Sequence, residues 1–441
     1  MRRYLLCLLV ACIGLSISPV QAEPSPLRYV NALEFRLINR GWDADVTLSP
    51  YTRIPSYLKD SIRQELWDRG KNSAGIGIRF ATNSKRIGVR YNLHSNFHMA
   101  HMADTGIKGT DLYIWETPSN SSQEGRNHTP SPLRGTPPTL GGELTPEQES
   151  TLGGGSDGHW AYVNTNRPTK DSIQQKIYVE NMDGEMHECL IYLPLYDGVN
   201  WMEIGVDSDA VITPPQLDNP RKKMKVVCYG TSILHGGCAS RTGMAATNIM
   251  QRELNIEMVN LGVSGEGKLV YPMARAMAEI EDAVAYIIDP VPNCTQMMCD
   301  TLTYGFIRIL RDARPHVPII MVEGPMYPYA KFDSYFRDYL PAKNEAFRKN
   351  YEKLKAENPE GLYYVTCEGL TGPDEEGTVD GIHLTDLGFR AYADKLEAVL
   401  KEILEDPLKS SQGGRNHTPS PLRGTPPTLG GELTPGFHVP Y

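Results

Sequence analysis

The sequence has no sustained run of lysine and arginine. Its 44 basic residues face 53 acidic ones over 441 positions, giving a formal net charge of -9. Recognition of a phosphate backbone needs a basic footprint, so composition argues against a nucleic-acid partner. The short Arg221-Lys222-Lys223 cluster reads as a solvated linker end. Beyond the N-terminus no apolar run approaches the roughly 20 residues needed to span a bilayer. Cysteine is scarce, with eight in the chain, and none forms a CxxC pair. The Cys and His spacings contain no metal-ligand pattern, so neither a metal nor an organic cofactor is expected. Cys228 and Cys367 fall in apolar strand patterns and read as small core residues. Cys294 and Cys299 are near enough in sequence for a disulfide, but spacing alone does not establish one.

What the chain does contain is enough apolar material for real cores, at 40% hydrophobic residues. At about 150 residues per domain, its length suggests two or three domains. Residues 1–22 read as a signal peptide. Arg2 and Arg3 supply the positive end, Leu5 to Ile17 the apolar stretch, and Val20-Gln21-Ala22 a small-x-small cleavage site. In a competing reading, Leu9-Val10-Ala11-Cys12 is a lipobox and Cys12 carries a lipid anchor, the only membrane attachment the sequence suggests. Either way the expected location is outside the cytoplasm: periplasmic, extracellular or cell-surface.

The string RNHTPSPLRGTPPTLGGELTP occurs twice without a change, at 126–146 and 415–435. Its Pro, Gly and Thr content and lack of period give it little apolar surface to offset chain ordering. The two copies are expected to be a disordered insert (121–157) and a disordered tail (407–441). A Pro-rich docking motif is the alternative.

From about Leu27 to Leu217 the pattern is short alternating segments such as Gly75–Phe80, Arg86–Tyr91, Leu190–Leu193 and Met202–Val206. Period-two alternation between turns predicts an antiparallel all-β sandwich over 23–220. After Lys225, apolar runs of strand length alternate with helical stretches. Val226–Tyr229, Met258–Leu261, Ala285–Ile288, Ile319–Val322 and Leu362–Val365 are the five strand candidates. Such alternation predicts a flavodoxin-like α/β/α layering around a parallel sheet over 221–406.

In open parallel sheets, ligands bind beyond the carboxyl ends of the strands. Those ends bring a serine (Ser232), a glycine turn (Gly265), an asparagine (Asn293) and an Asp380-x-x-His383 pair to one edge. A serine hydroxyl becomes nucleophilic when a base removes its proton. His383 is the candidate base and Asp380 the group that orients it. The N–H groups of Ser232 and Gly265 and the side-chain amide of Asn293 are candidate donors to a developing oxyanion. Taken singly, each has a plainer reading: Ser232 as a helix cap, Asp380 as a cap beside a surface histidine, Gly265 and Asn293 as turn residues. Other positions near that edge are weaker candidates. His235 reads as a polar residue in a first helical turn, and Glu323 as either a substrate contact or a loop carboxylate. Trp115 and Trp160 read as sandwich core ahead of a sugar-stacking platform.

Together the segments YGTSILHGGCASRTGMA, NLGVSGEGKL, IIDPVPNC and DGIHLTDLGF resemble the four blocks of SGNH (GDSL-like) hydrolases. Gly109-Thr110-Asp111-Leu112-Tyr113 is similar to the GxDLY motif of a branch whose hydrolase domain follows a β-sandwich. The resemblance implies a serine esterase with Ser232, His383 and Asp380 as triad and Ser232, Gly265 and Asn293 around the oxyanion. It implies O-acyl esters of carbohydrate, acetyl esters in particular, or another small ester as substrate. A lipase or lysophospholipase on the same scaffold, and a catalytically decayed glycan-binding protein, are the alternatives. Two positions depart from the family pattern: Thr231 replaces the usual Asp beside the nucleophile, and Pro292 the usual Gly before Asn293.

Overall fold

A computed structural model describes residues 25–117, 158–217, 219, 221 and 223–405. The signal-like leader, the repeat-bearing insert and the tail lie outside the described residues. No described helix is long and apolar enough to cross a membrane.

The N-terminal half is two antiparallel sheets built from β1 (Arg28–Asn31), β2 (Arg36–Ile38), β3 (Gly77–Thr82), β4 (Ile87–Leu93), β5 (Asp111–Glu116), β6 (His159–Thr165), β7 (Ile173–Val179), β8 (His187–Tyr192), β9 (Val199–Val206) and β10 (Ile212–Thr213). One sheet runs β1-β9-β4-β7. The other runs β10-β3-β8-β5-β6, with β2 paired to β3. The predicted alternation is real, since Ile78 and Phe80 of β3 and Val89 and Tyr91 of β4 meet in one core between the sheets. The opposite face of β3 is buried as well. There Arg79 pairs with Glu188 at 3.3 Å beneath the ring of Trp160. Trp115 and Trp160 oppose each other across β5 and β6. They pack edge to face at 5.3 Å and are buried, so they are core residues.

The C-terminal half is a five-stranded parallel sheet of β11 (Lys225–Gly230), β12 (Glu257–Gly262), β13 (Ala283–Asp289), β14 (Ile319–Val322) and β15 (Leu362–Val365). The order β12-β11-β13-β14-β15 is the flavodoxin-like arrangement expected from sequence. Val226 and Cys228 of β11 face one helical layer, with Ala246–Leu254 and Asp386–Glu405. Val227 and Tyr229 face the other, with Tyr271–Ala278, Gln296–Ala313 and Ser334–Glu357. Burial on both faces is why these strands read as unbroken apolar runs. The helical patterns expected at Thr301–Arg311 and Lys343–Lys355 extend further back, to Gln296 and, across the internal Pro341, to Ser334. Thr295 caps the first and Asp333 the second through side-chain oxygens, and polar capping residues leave no trace in hydrophobic periodicity.

The two halves share buried contacts. Asp111 of the GTDLY segment is fully buried. Its carboxylate accepts from Arg241 Nη1 and from the Gly243 N–H, both at 2.8 Å. The Arg241 guanidinium also donates to Tyr113 Oη at 2.5 Å and lies 3.8 Å from the centre of the Tyr162 ring. The GxDLY-like and GCASR segments are thus two sides of one contact. Removing one member of a buried ion pair strands the other. Asp111→Ala is therefore expected to lower unfolding stability by about 3 kcal/mol, read as a lower denaturant midpoint. An unchanged midpoint would refute the anchoring role.

Candidate active site

Every predicted site residue falls beyond the carboxyl ends of the parallel strands. Ser232 opens a short helix, Ser232–His235, directly after β11. Its Oγ–H points at His383 Nε2 across 2.9 Å. His383 Nδ1–H donates to Asp380 Oδ2 at 2.7 Å. The other carboxylate oxygen of Asp380 accepts the backbone N–H groups of Ile382 and His383 at 3.0 and 2.8 Å. Burial alone would raise the Asp380 carboxyl, but the hydrogen bonds from the His383 side chain and backbone outweigh it and hold Asp380 well below the usual carboxylate range. Asp380 is therefore an anion wherever His383 needs an acceptor.

The candidate donors to an oxyanion come from three elements. Ser232 is the first residue of its helix, where backbone N–H groups have no intrahelical partner. Gly265 sits in a left-handed turn at φ 74°, a conformation open to glycine. The Asn293 Oδ1 accepts the Gly267 N–H at 3.2 Å, which leaves Nδ2 as the end able to donate. Two further glycines let the second block close on the first. A Cβ on Gly262 would lie 2.3 Å from His235 N, and one on Gly267 2.3 Å from Gly230 O.

Both departures from the family pattern have a physical account. Thr231 is the N-cap of the Ser232–His235 helix, and its Oγ1 accepts the Ile233 N–H at 3.3 Å. Aspartate and threonine both perform that task. Pro292 lies in a tight turn, Val291–Asn293, and its carbonyl accepts from the buried Lys343 Nζ at 3.2 Å.

The weaker candidates resolve differently. Glu323 is buried and saturated by Arg348, Tyr364 Oη and the Cys367 N–H, so it is a scaffold carboxylate. Cys228 is a core residue of β11, whereas Cys367 lies past the end of β15 and is half-buried. Cys294 and Cys299 are buried free thiols, and the Cys294 thiol donates to Gly267 O at 3.9 Å.

His235 is more than a polar residue in a helical turn. It is fully buried and stacked on Tyr196 at 4.2 Å. Its Nδ1 accepts the Ser264 N–H at 3.3 Å, and its Nε2–H donates to Leu195 O at 2.7 Å. With that tautomer, the 3.3 Å approach of Arg53 Nη2 to Nε2 is a contact between two donors. Burial, then Arg53 and Arg69, push the imidazole well below its ordinary value, so it is neutral. Sequence reasoning missed Arg53 altogether. Its guanidinium donates to the carbonyls of Asn72, Asn260, Gly262 and Arg69, tying the N-terminal half to the strand that leads to Gly265.

Two predictions follow from this geometry. His235→Phe keeps the stacking and removes the acceptor for Ser264. Turnover is expected to fall by about one to two orders of magnitude while KM moves little; a change confined to KM would contradict the positioning role. The second concerns Asp289, at the end of β13. It is fully buried with Oδ1 unpartnered and Oδ2 accepting from Tyr392 Oη at 2.8 Å. Burial pushes its carboxyl up to about 8. The unfolded chain then releases this proton at lower pH than the native one, so stability declines as pH rises from about 4 to about 8. Asp289→Asn retains the acceptor and removes that loss. Its gain in melting temperature should be larger at about pH 8 than at about pH 5; an equal gain would sink the assignment.

Comparison with known proteins places this geometry. Residues 222–401 match the sequence model of the GDSL-like Lipase/Acylhydrolase family. Residues 27–130 and 153–212 match the model described as the N-terminus of Esterase_SGNH_hydro-type. No curated protein matches. A solved structure from Bacteroides ovatus, described as a GDSL-like lipase, is 31% identical, covers 86% of this chain and 98% of its own, and superposes with a TM-score of 0.71. A salicylyl-acyltransferase from a tetracycline biosynthetic pathway shares the fold at 15% identity, with the same coverage and a TM-score of 0.62. With that identity spread over nearly the whole of the Bacteroides relative, the chain belongs to the GDSL-like lipase/acylhydrolase family and is a carboxylic ester hydrolase.

Proposed function

We propose that the protein hydrolyses short O-acyl esters, acetyl esters of carbohydrate in particular, through an acyl-enzyme on Ser232. The observation that carries the reading is the continuous chain of hydrogen bonds from Ser232 Oγ through His383 to Asp380, 2.9 and 2.7 Å long. His383 Nε2 takes the hydroxyl proton as Oγ attacks the ester carbonyl. Asp380 holds the tautomer and offsets the charge of the imidazolium. The N–H groups of Ser232 and Gly265 and the Asn293 amide receive the oxyanion. Collapse expels the alcohol, protonated by His383, and water repeats the sequence on the acyl-enzyme.

Support for a carbohydrate alcohol comes from the rim. The Tyr329 ring lies against the Asp380–His383 turn, where a Cβ on Gly381 would come within 2.9 Å of it. Tyr329 packs edge to face on Phe336, and Phe336 on Tyr335. Tyr335 is 63% exposed and neighbouring Phe332 89%. Flat aromatic faces beside the leaving-alcohol side suit the apolar faces of sugar rings. The signal-like leader adds an extracytoplasmic setting in which such esters occur.

The same rim also supports a second reading. Val379 and Leu387, on either side of His383 in sequence, are exposed as well, and an apolar rim suits a lipid acyl chain. The test is one assay series on short-chain and long-chain aryl esters and on acetylated oligosaccharides, with Ser232→Ala as control. Turnover is expected to be highest on acetyl esters and to fall by about a millionfold in the variant. Rates rising with acyl length would favour the lipase, and equal rates for the two proteins would remove Ser232 as nucleophile.

A further inference from the structure

The spacing of cysteine and histidine along the chain shows no metal motif, yet the fold gathers three ligand atoms. A ring nitrogen of His101, Sγ of Cys238 and a ring nitrogen of His383 lie within 4.8 Å of one another. They come from three segments: a loop of the sandwich, the turn after the nucleophile helix, and the turn carrying Asp380. We propose that His101, Cys238 and His383 form an inhibitory binding site for a thiophilic divalent cation of the Zn2+ type.

Ligand identity fits first. Two imidazoles and one thiol with an open fourth position is a donor set that zinc accepts. Tetrahedral bonding at ordinary zinc–nitrogen and zinc–sulfur lengths puts ligand atoms about 3.3–3.6 Å apart, so side-chain shifts of about 1 Å close the site.

The surroundings fit as well. His383 Nδ1 is already engaged by Asp380 at 2.7 Å, which leaves Nε2 to ligate. A carboxylate behind a ligating histidine is the usual outer partner of a bound metal. The rings of His101 and His383 are 5.5 Å apart. The loop bearing His101 is held at both ends. Buried Asp197 accepts the Ser95 and Phe97 N–H groups at 2.8 and 2.9 Å, and Met99 pairs with Met102, which is buried in the core. Cys238 is held in the left-handed region at φ 97°, where a non-glycine side chain is strained. Among the described residues no hydrogen bond of the Cys238 thiol accounts for it.

The consequence follows from the shared imidazole. A cation on His383 Nε2 takes the lone pair that would accept the Ser232 proton, and the thiol proton leaves to solvent on binding. Hydrolysis stops until the metal is removed. The inhibitory effect rests on His383 as base; the metal site itself does not.

The test uses the purified protein, Cys238→Gly and His101→Ala, each assayed against its own metal-free rate. Glycine suits the backbone at 238 and deletes the ligand, so that variant is expected to fold. Micromolar Zn2+ should suppress the unmodified protein, and chelator should restore it. Each variant should need at least about tenfold more Zn2+ for the same loss. In parallel, Co2+ should give a sulfur-to-metal absorption band in the unmodified protein that is missing in Cys238→Gly. The cobalt band does not depend on turnover, so failure of the metal site and failure of the hydrolytic reading appear separately. Absence of the band, or equal Zn2+ sensitivity in all three proteins, would overturn the proposal.

Discussion

The buried guanidinium of Arg53 is the contact on which the rest of the site depends. It comes from the N-terminal half and has no carboxylate partner among its hydrogen bonds. Instead it donates to four backbone carbonyls. Two of these, Asn260 and Gly262, belong to β12, immediately before the turn that presents Gly265. Burial pulls Arg53 down to about 9, which leaves it cationic at neutral pH. An ionised side chain in that position is costly unless its donors are satisfied. The fork-shaped array of N–H groups satisfies it only if the carbonyls stay in place. The cost of misplacing the Gly265 turn is therefore the cost of stranding a buried charge.

This makes the sandwich part of the scaffold of the candidate site. Asp111, Arg241 and Tyr113 repeat the logic on the other side of the nucleophile helix, where Arg241 follows the Gly236–Ser240 turn. The sandwich residues Leu195 and Tyr196 also receive and stack against His235. In each case a side chain of one half satisfies backbone or charge in the other. An open parallel sheet has its ligand edge on loops, and loops hold geometry only when something packs on them. Here the sandwich does so.

The strands of the C-terminal sheet were legible because burial on both faces leaves unbroken apolar runs, as in Val226–Tyr229 and Ile319–Val322. The gathering of Ser232, Gly265, Asn293, Asp380 and His383 at one edge was legible because parallel topology sends every strand end there. Cross-domain contacts were not. Arg53 meets Gly262 across 209 residues, and Arg241 meets Asp111 across 130; neither pair leaves a local pattern. His235 was visible as a residue but not as a support, because its role depends on Leu195 and Ser264, which approach it from elsewhere in the chain. His101 was silent for the same reason.

Why a histidine should be buried between two arginines is answered by what its proton would do. Protonation would remove the Nδ1 lone pair that accepts the Ser264 N–H, leaving two donors facing each other. Desolvation disfavours the charged ring, and Arg53 and Arg69 add repulsion. The neighbours that look electrostatically unfavourable therefore keep the acceptor in place. In the proposed mechanism His383 gains and loses a proton in every turnover, with Asp380 beside it at 2.7 Å to stabilise the charge. The two imidazoles thus differ in setting: His235 lies among cations, which keep it neutral, and His383 lies against the Asp380 anion.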